Sequence, residues 1–187
     1  RNSRVRILSS DSFSSPSPTS QFGIWDKKRF DAMAKARDVY LRKTLESYSD
    51  YDYLVVIDMH ATSSWNLEAF LESVRTRCSS CSWDVMCGNG MYSENGRYYD
   101  GLAYRPLGFQ EPLSEWLKMM HTVISSTFDS QDPMFKVQSC FGGMAIYKIR
   151  TLLKAGCSYS NDLSEDCEHV RLHRCLQEKV GANVILN

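Results

Sequence analysis

The sequence predicts an α/β fold built on a largely parallel central sheet. Three observations predict it. Leu54, Val55, Val56 and Ile57 form a short unbroken apolar run, β-branched in three of its positions and without alternation, as in a strand covered on both faces. Strand-like segments of this kind alternate along the chain with amphipathic helical stripes. A length of 187 residues with a hydrophobic fraction of 43% suits one domain with a sizeable core.

The elements follow in order. Val5 to Leu8 (RVRIL with Arg4) is a short strand-like run. Ser9 to Ser20 (SSDSFSSPSPTS) is rich in Ser and Pro and reads as a loop, either a plain connection or a flap beside a ligand site. Trp25 to Tyr48 is a helix, with Phe30, Met33, Ala34, Val39 and Leu45 giving an apolar stripe and Lys35 and Arg37 near its edge. Ser49 to Tyr53 turns into the Leu54–Ile57 strand. Leu67 to Arg77 is a second amphipathic helix, through Leu67, Phe70, Leu71 and Val74. Trp83 to Met86 is a strand that ends in Cys-Gly-Asn-Gly, and a further segment runs from Tyr98 through GLAYR. Trp116 to Phe128 is a helix, with Leu117, Met120, Val123 and Ile124 on one face. Phe135 to Tyr147 reads as strand, glycine turn, strand. Ser164 to Val180 is a helix, and Ala182 to Leu186 a strand.

Charged residues make up 24% of the chain and the formal net charge is zero, which argues against nucleic-acid binding driven by bulk electrostatics. No apolar run approaches the roughly 20 residues needed to span a bilayer. The seven cysteines, Cys78, Cys81, Cys87, Cys140, Cys157, Cys167 and Cys175, are odd in number and cannot all pair within one chain. Cys78 and Cys81 have CxxC spacing, but no second CxxC accompanies them as a zinc site would need. Buried thiols and one or two disulfides both remain open, and with them the compartment.

Chemistry concentrates at a few points. Asp58 directly follows the central strand, where open α/β sheets place ligands. His60, two residues on, leaves the strand on the same side. Together they offer oxygen and nitrogen donors to a divalent cation; alternatively Asp58 caps the next turn. His169 and His173 are four apart and share a helix face, either as metal ligands or as surface or capping residues. Glu168 sits at a helix start, where the dipole favours a carboxylate regardless of function. Gly142 and Gly143 let backbone approach a ligand, or form a tight turn. Asp84, Asn89, Tyr98, Tyr99, Asp100 and Arg105 form a polar cluster around two strand ends, with acceptors and donors suited to sugar hydroxyls.

The segments AKARDVYL, YDYLVVIDMH, WDVMCGNG, YYDGLAYR, SCFGGMAIYK and CEHVRLH followed by GANVILN occur in this order over about residues 30 to 187. In that order they resemble the GT-A nucleotide-sugar glycosyltransferases related to the fungal capsule-associated α-1,3-mannosyltransferase and to a similar large-DNA-virus glycosyltransferase. The resemblance implies a single GT-A-like, Rossmann-like domain over residues 1–187, with a mostly parallel sheet flanked by helices. It implies that the first βα unit, which grips the nucleotide base, is lacking and the domain truncated at its amino terminus, so that UDP or GDP with Mn²⁺ binds weakly.

The function implied is metal-dependent transfer of a sugar from a UDP- or GDP-sugar donor to a glycan hydroxyl, using Mn²⁺ or Mg²⁺. The alternative is a non-catalytic carbohydrate- or nucleotide-binding remnant of such an enzyme. By the same resemblance Asp58 begins the DxD motif, and His60 stands where the second Asp is usual. Arg37 matches the family's helix arginine near the nucleotide, with Asp38 where an Asn is common. Asp84, Asn89 and Asp100 match donor-sugar positions, and Gly142 and Gly143 the turn by the sugar. Glu168 and His169 match a carboxylate and a third metal ligand, so that the implied metal set is Asp58, His60 and His169. Glu168 and Asp100 are then the candidate catalytic carboxylates, as a general base if the reaction inverts or facing an oxocarbenium-like centre if it retains. The compartment would be the Golgi lumen if a membrane anchor lies upstream, and the cytoplasm otherwise.

Overall fold

In a computed structural model the structure describes residues 27–58, 68, 72, 82–91, 98–128, 134–161 and 164–187. The strand expected at Val5 to Leu8, the loop at Ser9 to Ser20, the CxxC pair and His60 lie outside these residues. So does the helix expected over Leu67 to Arg77, apart from Glu68 and Glu72, which are helical.

Helix α1 spans Lys27–Ser47 and buries Phe30, Ala34 and Leu41. Those positions follow the helical repeat, and Arg37 falls on the same stripe between Ala34 and Leu41. Strand β1 is Tyr53–Ile57 and β2 is Val85–Cys87. Helix α2 covers Leu113–Phe128. Strand β3 is Phe135–Val137 and β4 is Met144–Lys148, which runs straight into helix α3, Ile149–Ala155. Helix α4, Glu168–Val180, ends at Gly181 in the left-handed conformation, and β5, Val184–Leu186, follows. The short helix α3 was not legible beforehand, because it follows β4 with no turn residue between them and its seven residues are too few for a clear helical repeat.

The sheet order is β1-β4-β2-β5-β3. Among the described residues only β2 and β5 pair in parallel, Val85 opposite Val184 through Cys87 opposite Leu186. β4 is antiparallel to both β1 and β2, and β3 is antiparallel to β5. The mostly parallel, GT-A-like sheet expected from the sequence is therefore corrected: the sheet is mixed. The physical cause lies at Gly142 and Gly143, whose φ angles are 58° and 82°. This turn, closed by Met144 N–H donating to Phe141 O at 3.1 Å, sends β4 back between β1 and β2. The segment Phe135 to Tyr147 is not a hairpin either, since β3 lies at the opposite side of the sheet from β4.

The unbroken apolar run that suggested a doubly covered strand belongs to β1, which ends the strand order among the described residues; Tyr53, Val55 and Ile57 are exposed. The doubly covered strands are β2, β4 and β5. Their alternate residues fall into two clusters. Val85, Cys87, Ala145, Tyr147, Val184 and Leu186 join the main core with residues of all four helices. Met86, Met144, Ile146 and Ile185 join Trp83 on the other face. At roughly 1.5–3 kcal/mol for each fully buried large apolar side chain, even the three residues of β5 contribute substantially.

β1 and β2 both oppose β4, so they point the same way. Their carboxyl ends and the start of β4 share one sheet edge, which is where the candidate site lies.

Candidate functional site

Asp58 leaves β1 at this edge and is fixed twice. Its N–H donates to Gly143 O at 2.8 Å, and its Oδ2 accepts from the Tyr99 hydroxyl at 2.7 Å. Tyr99 N–H in turn donates to Gly90 O at 2.7 Å. The loops after β2 and before β4 meet backbone to backbone: a Cβ on Gly142 would stand 1.8 Å from Gly88 O, and one on Gly90 would stand 2.2 Å from Gly142 O. The close approach permitted by Gly142 is thus first an approach between two loops of the protein. Cys87, at the end of β2, is disulfide-bonded to Cys140, two residues before Gly142, and ties the same loops covalently.

Asp100 adopts φ 62°, the left-handed region in which Asp is tolerated, and is the one non-glycine residue with positive φ among those described. Backbone strain of this kind tends to collect at functional sites. Its carboxyl is raised to about 7, first by desolvation and then by the Glu168 and Asp58 charges, against the pull of Arg37. The charges of Glu168, Arg37 and Asp58, from three distant parts of the chain, therefore all act on Asp100.

Arg37 reaches this group from the buried stripe of α1. Its Nε donates to Glu168 Oε1 at 2.9 Å, and its guanidinium lies 5.4 Å from the Phe141 ring centre. Burial opposes the Arg37 charge, but Tyr40, Glu168 and Tyr159 outweigh it, so the proton is held more tightly than usual. Glu168 opens α4, where the helix dipole favours its charge.

His169 stacks on Phe141 at 3.9 Å between ring centres and is almost fully buried. Its Nδ1 is 3.4 Å from the Tyr147 hydroxyl. That hydroxyl also contacts His173 Nε2 at 3.1 Å, and His173 Nδ1 meets Ser139 Oγ at 2.9 Å. Both ring nitrogens of His173 are thus engaged within the core, and the shared face of His169 and His173 is not a two-histidine metal site. Burial lowers both histidines, His169 well below its ordinary value, with Arg37 and His173 adding to the effect, and His173 to about 3. His169 Nε2 has no hydrogen-bond partner among the described residues and lies 3.9 Å from Glu168 Oε1.

The donor types fit Mn²⁺ or Mg²⁺: a carboxylate at Asp58 and a neutral, buried imidazole at His169. Among the described residues no three His, Cys, Asp or Glu side chains are grouped to hold one ion.

Of the residues singled out in the sequence, Arg37, Asp58, Asp100, Gly142, Gly143, Glu168 and His169 come together. Asn89 is exposed on the loop after β2 at the same edge. Asp84 does not join them. It precedes β2, at the opposite edge, where its Oδ1 accepts from Thr151 Oγ1 at 2.7 Å and its Oδ2 from Asn183 N–H at 2.9 Å. Asp38 also has an internal role, accepting from Tyr159 N–H at 2.7 Å and from Ser160. Arg105 is buried in an ion pair with Asp166, which also binds Arg174. Sequence reasoning missed the roles of Tyr40, Tyr147 and Tyr159, which surround Arg37 and His169; Tyr40 and Tyr147 sit beside apolar neighbours and Tyr159 in a polar turn, and none carries a distinguishing local signal.

No protein-family model matches the chain, and no curated protein matches it. One similar solved structure is the crystal structure of A197 from STIV, at 16% sequence identity and a TM-score of 0.42, over 83% of this chain and 63% of that one. The chain thus spans less than two thirds of that protein's length, and a likeness at this level leaves function to be argued from the chain's own residues. Among the described residues no helix is long and apolar enough to cross a membrane.

Proposed function

We propose that the chain transfers a sugar from a nucleotide-diphosphate donor to a hydroxyl group of a glycan, with Mn²⁺ or Mg²⁺ as cofactor. The observation that supports this reading is the convergence of the Glu168 and Asp58 charges and the Arg37 guanidinium on Asp100 at one sheet edge. Crowded carboxylates beside one cation suit a site completed by a divalent ion and an anionic substrate.

In this reading Asp58, His60 and His169 would hold a divalent cation, which would supply charge neutralisation for a departing diphosphate. Arg37 keeps its charge in a buried setting and stabilises negative charge developing at the same edge. Asn89 and the Gly142–Gly143 turn border the donor sugar. Asp100 is partly exposed and titrates near neutral pH, so in an inverting transfer it accepts the proton of the attacking hydroxyl. In a retaining transfer the same carboxylate faces an oxocarbenium-like centre. Glu168 is held on Arg37 and acts as its positioning residue. The Cys87–Cys140 and Cys157–Cys175 disulfides suit an oxidising compartment, in keeping with a lumenal location.

His60, standing where the resemblance expects a second Asp, favours a second reading, a non-catalytic carbohydrate- or nucleotide-binding module. Thermal shift and donor hydrolysis with Mn²⁺ and a panel of UDP- and GDP-sugars separate the two, run on the native chain, Asp58→Asn and His60→Asp. Turnover that rises in His60→Asp and vanishes in Asp58→Asn is the result expected of an enzyme. A thermal shift without turnover in both the native chain and His60→Asp selects the binding module. No shift with any donor overturns both readings.

A further inference from the structure

Tyr99 reaches the candidate site from a loop that is anchored on both sides. Its N–H donates to Gly90 O at 2.7 Å, beside the bridge between Met91 and Tyr98. On the other side Gly101 O accepts from Trp116 Nε1 at 3.0 Å, and a Cβ on Gly101 would stand 2.8 Å from Ile124 Cδ1, so the loop lies against α2. Tyr98 is buried in the core, whereas Tyr99 is only partly buried. From this frame the Tyr99 hydroxyl donates to Asp58 Oδ2 at 2.7 Å, across 41 positions of the chain.

Burial does not force this bond. Tyr99 and Asp58 are both partly exposed, so water can satisfy the phenol and the carboxylate in its place. A hydrogen bond that water replaces so readily adds little to stability. What it supplies is direction. The Asp58 backbone is fixed by Gly143 O, and the Tyr99 bond fixes the carboxylate as well. A carboxylate offers about four lone-pair positions, so one phenol and one ion can share it. Carboxylates that ligate metals are oriented by hydrogen bonds of this kind, and removing such a partner weakens metal affinity by about 10–100-fold.

We infer that Tyr99 is the positioning residue of Asp58: its hydroxyl holds the carboxylate in the orientation in which it takes a divalent cation. The inference rests on the reading of Asp58 as a cation ligand, and adds to it a residue that acts only through Asp58. Through Gly101 and Trp116 it also makes the orientation of Asp58 depend on the seating of the loop on α2.

The test titrates Mn²⁺ into the full chain, alone and with UDP or GDP, and reads unbound Mn²⁺ by electron paramagnetic resonance. The native chain, Tyr99→Phe and Asp58→Asn are compared, with urea denaturation of each alongside. Tyr99→Phe keeps the ring and removes only the hydroxyl. It should weaken Mn²⁺ binding by about tenfold or more while its denaturation midpoint stays close to that of the native chain. Asp58→Asn should abolish the binding. If Asp58→Asn loses Mn²⁺ but Tyr99→Phe binds it as tightly as the native chain, the role of Tyr99 is refuted and Asp58 stands as a ligand. If the native chain binds no Mn²⁺, or Asp58→Asn binds it equally well, the reading of Asp58 fails and the role of Tyr99 fails with it. Loss of affinity in Tyr99→Phe together with loss of its fold also overturns the inference, since the hydroxyl would then be a structural tie.

Discussion

Arg37 and Glu168, 131 residues apart in the chain, are joined by a 2.9 Å hydrogen-bonded ion pair that bridges α1 and α4. Their side chains are only 15% and 3% exposed, so neither can fall back on water. The pair also adjusts Asp100 from both sides, the carboxylate raising it and the guanidinium lowering it.

Removing one partner should therefore cost far more than a surface ion pair would. Arg37→Met strands a buried carboxylate and should destabilise the chain by about 3–5 kcal/mol. Urea denaturation measures it, and a loss under about 1 kcal/mol would show that Glu168 relaxes to solvent.

Asp100 makes stability depend on pH in a defined direction. Its carboxyl is raised from 3.8 to about 7, so between those values the folded chain holds a proton that the unfolded chain releases. The associated stability is complete below about pH 4 and is lost as pH rises toward 7. Asp100→Asn, which tolerates the same backbone angle, should gain stability over the native chain across that window, by no more than roughly 4 kcal/mol. Burial lowers His173 to about 3, which works oppositely as pH falls below 6.5. The informative quantity is thus the difference between the two proteins' denaturation curves. A constant difference from pH 4 to 8 would contradict the assignment.

Two glycines should respond very differently to alanine. Gly108 has φ 77° and nothing within 4 Å of an added Cβ, so Gly108→Ala should cost about 1–2 kcal/mol from the backbone alone. Gly142→Ala adds a collision with Gly88 O and should cost more than about 3 kcal/mol or prevent folding. Similar melting temperatures for the two variants would show that the two loops separate readily.

The disulfides should dominate redox sensitivity. Chain entropy assigns about 4 kcal/mol to Cys87–Cys140, which closes a separation of 53 residues, and about 3 kcal/mol to Cys157–Cys175, with a separation of 18. Denaturation with and without reductant checks this. Cys167, buried with its thiol raised well above the usual range by desolvation, should resist alkylation in the native state.

Asp84 and Asp58 should separate stability from ligand response. Asp84→Ala breaks the bonds to Thr151 and Asn183 and should destabilise by about 2–4 kcal/mol, leaving any Mn²⁺-nucleotide response intact. Asp58→Asn should do the reverse. If both variants lose the response equally, Asp84 reaches the site in some other way.

The contrast between these two acids also shows what the sequence displays and what it conceals. Both flank a strand, but Asp58 follows one and Asp84 precedes one. Because β1 and β2 point the same way, that difference alone sends them to opposite edges. The strand at Leu54–Ile57 and the helices around Arg37 and His169 were legible from apolar spacing. The spacing put Arg37 only near the edge of the apolar stripe, whereas in the fold it lies on the buried stripe with Phe30, Ala34 and Leu41. Strand direction was not legible, because the exit of the Gly142–Gly143 turn is decided by which strands accept β4. Nor could local spacing reveal that both nitrogens of His173 are engaged by Ser139 and Tyr147, residues remote in the chain.

The strand order has a consequence in time. On the ribosome β1 and β2 emerge long before β4, the strand that must stand between them, and β2 then waits for β5 to gain its second neighbour. The pairings of β1 with β4 and of β2 with β5 span roughly half the chain, and that of β2 with β4 about a third, so the order of synthesis leaves apolar strand edges open until β4 and β5 arrive. A nascent chain of this design is expected to fold late and slowly, and to lean on chaperones during translation.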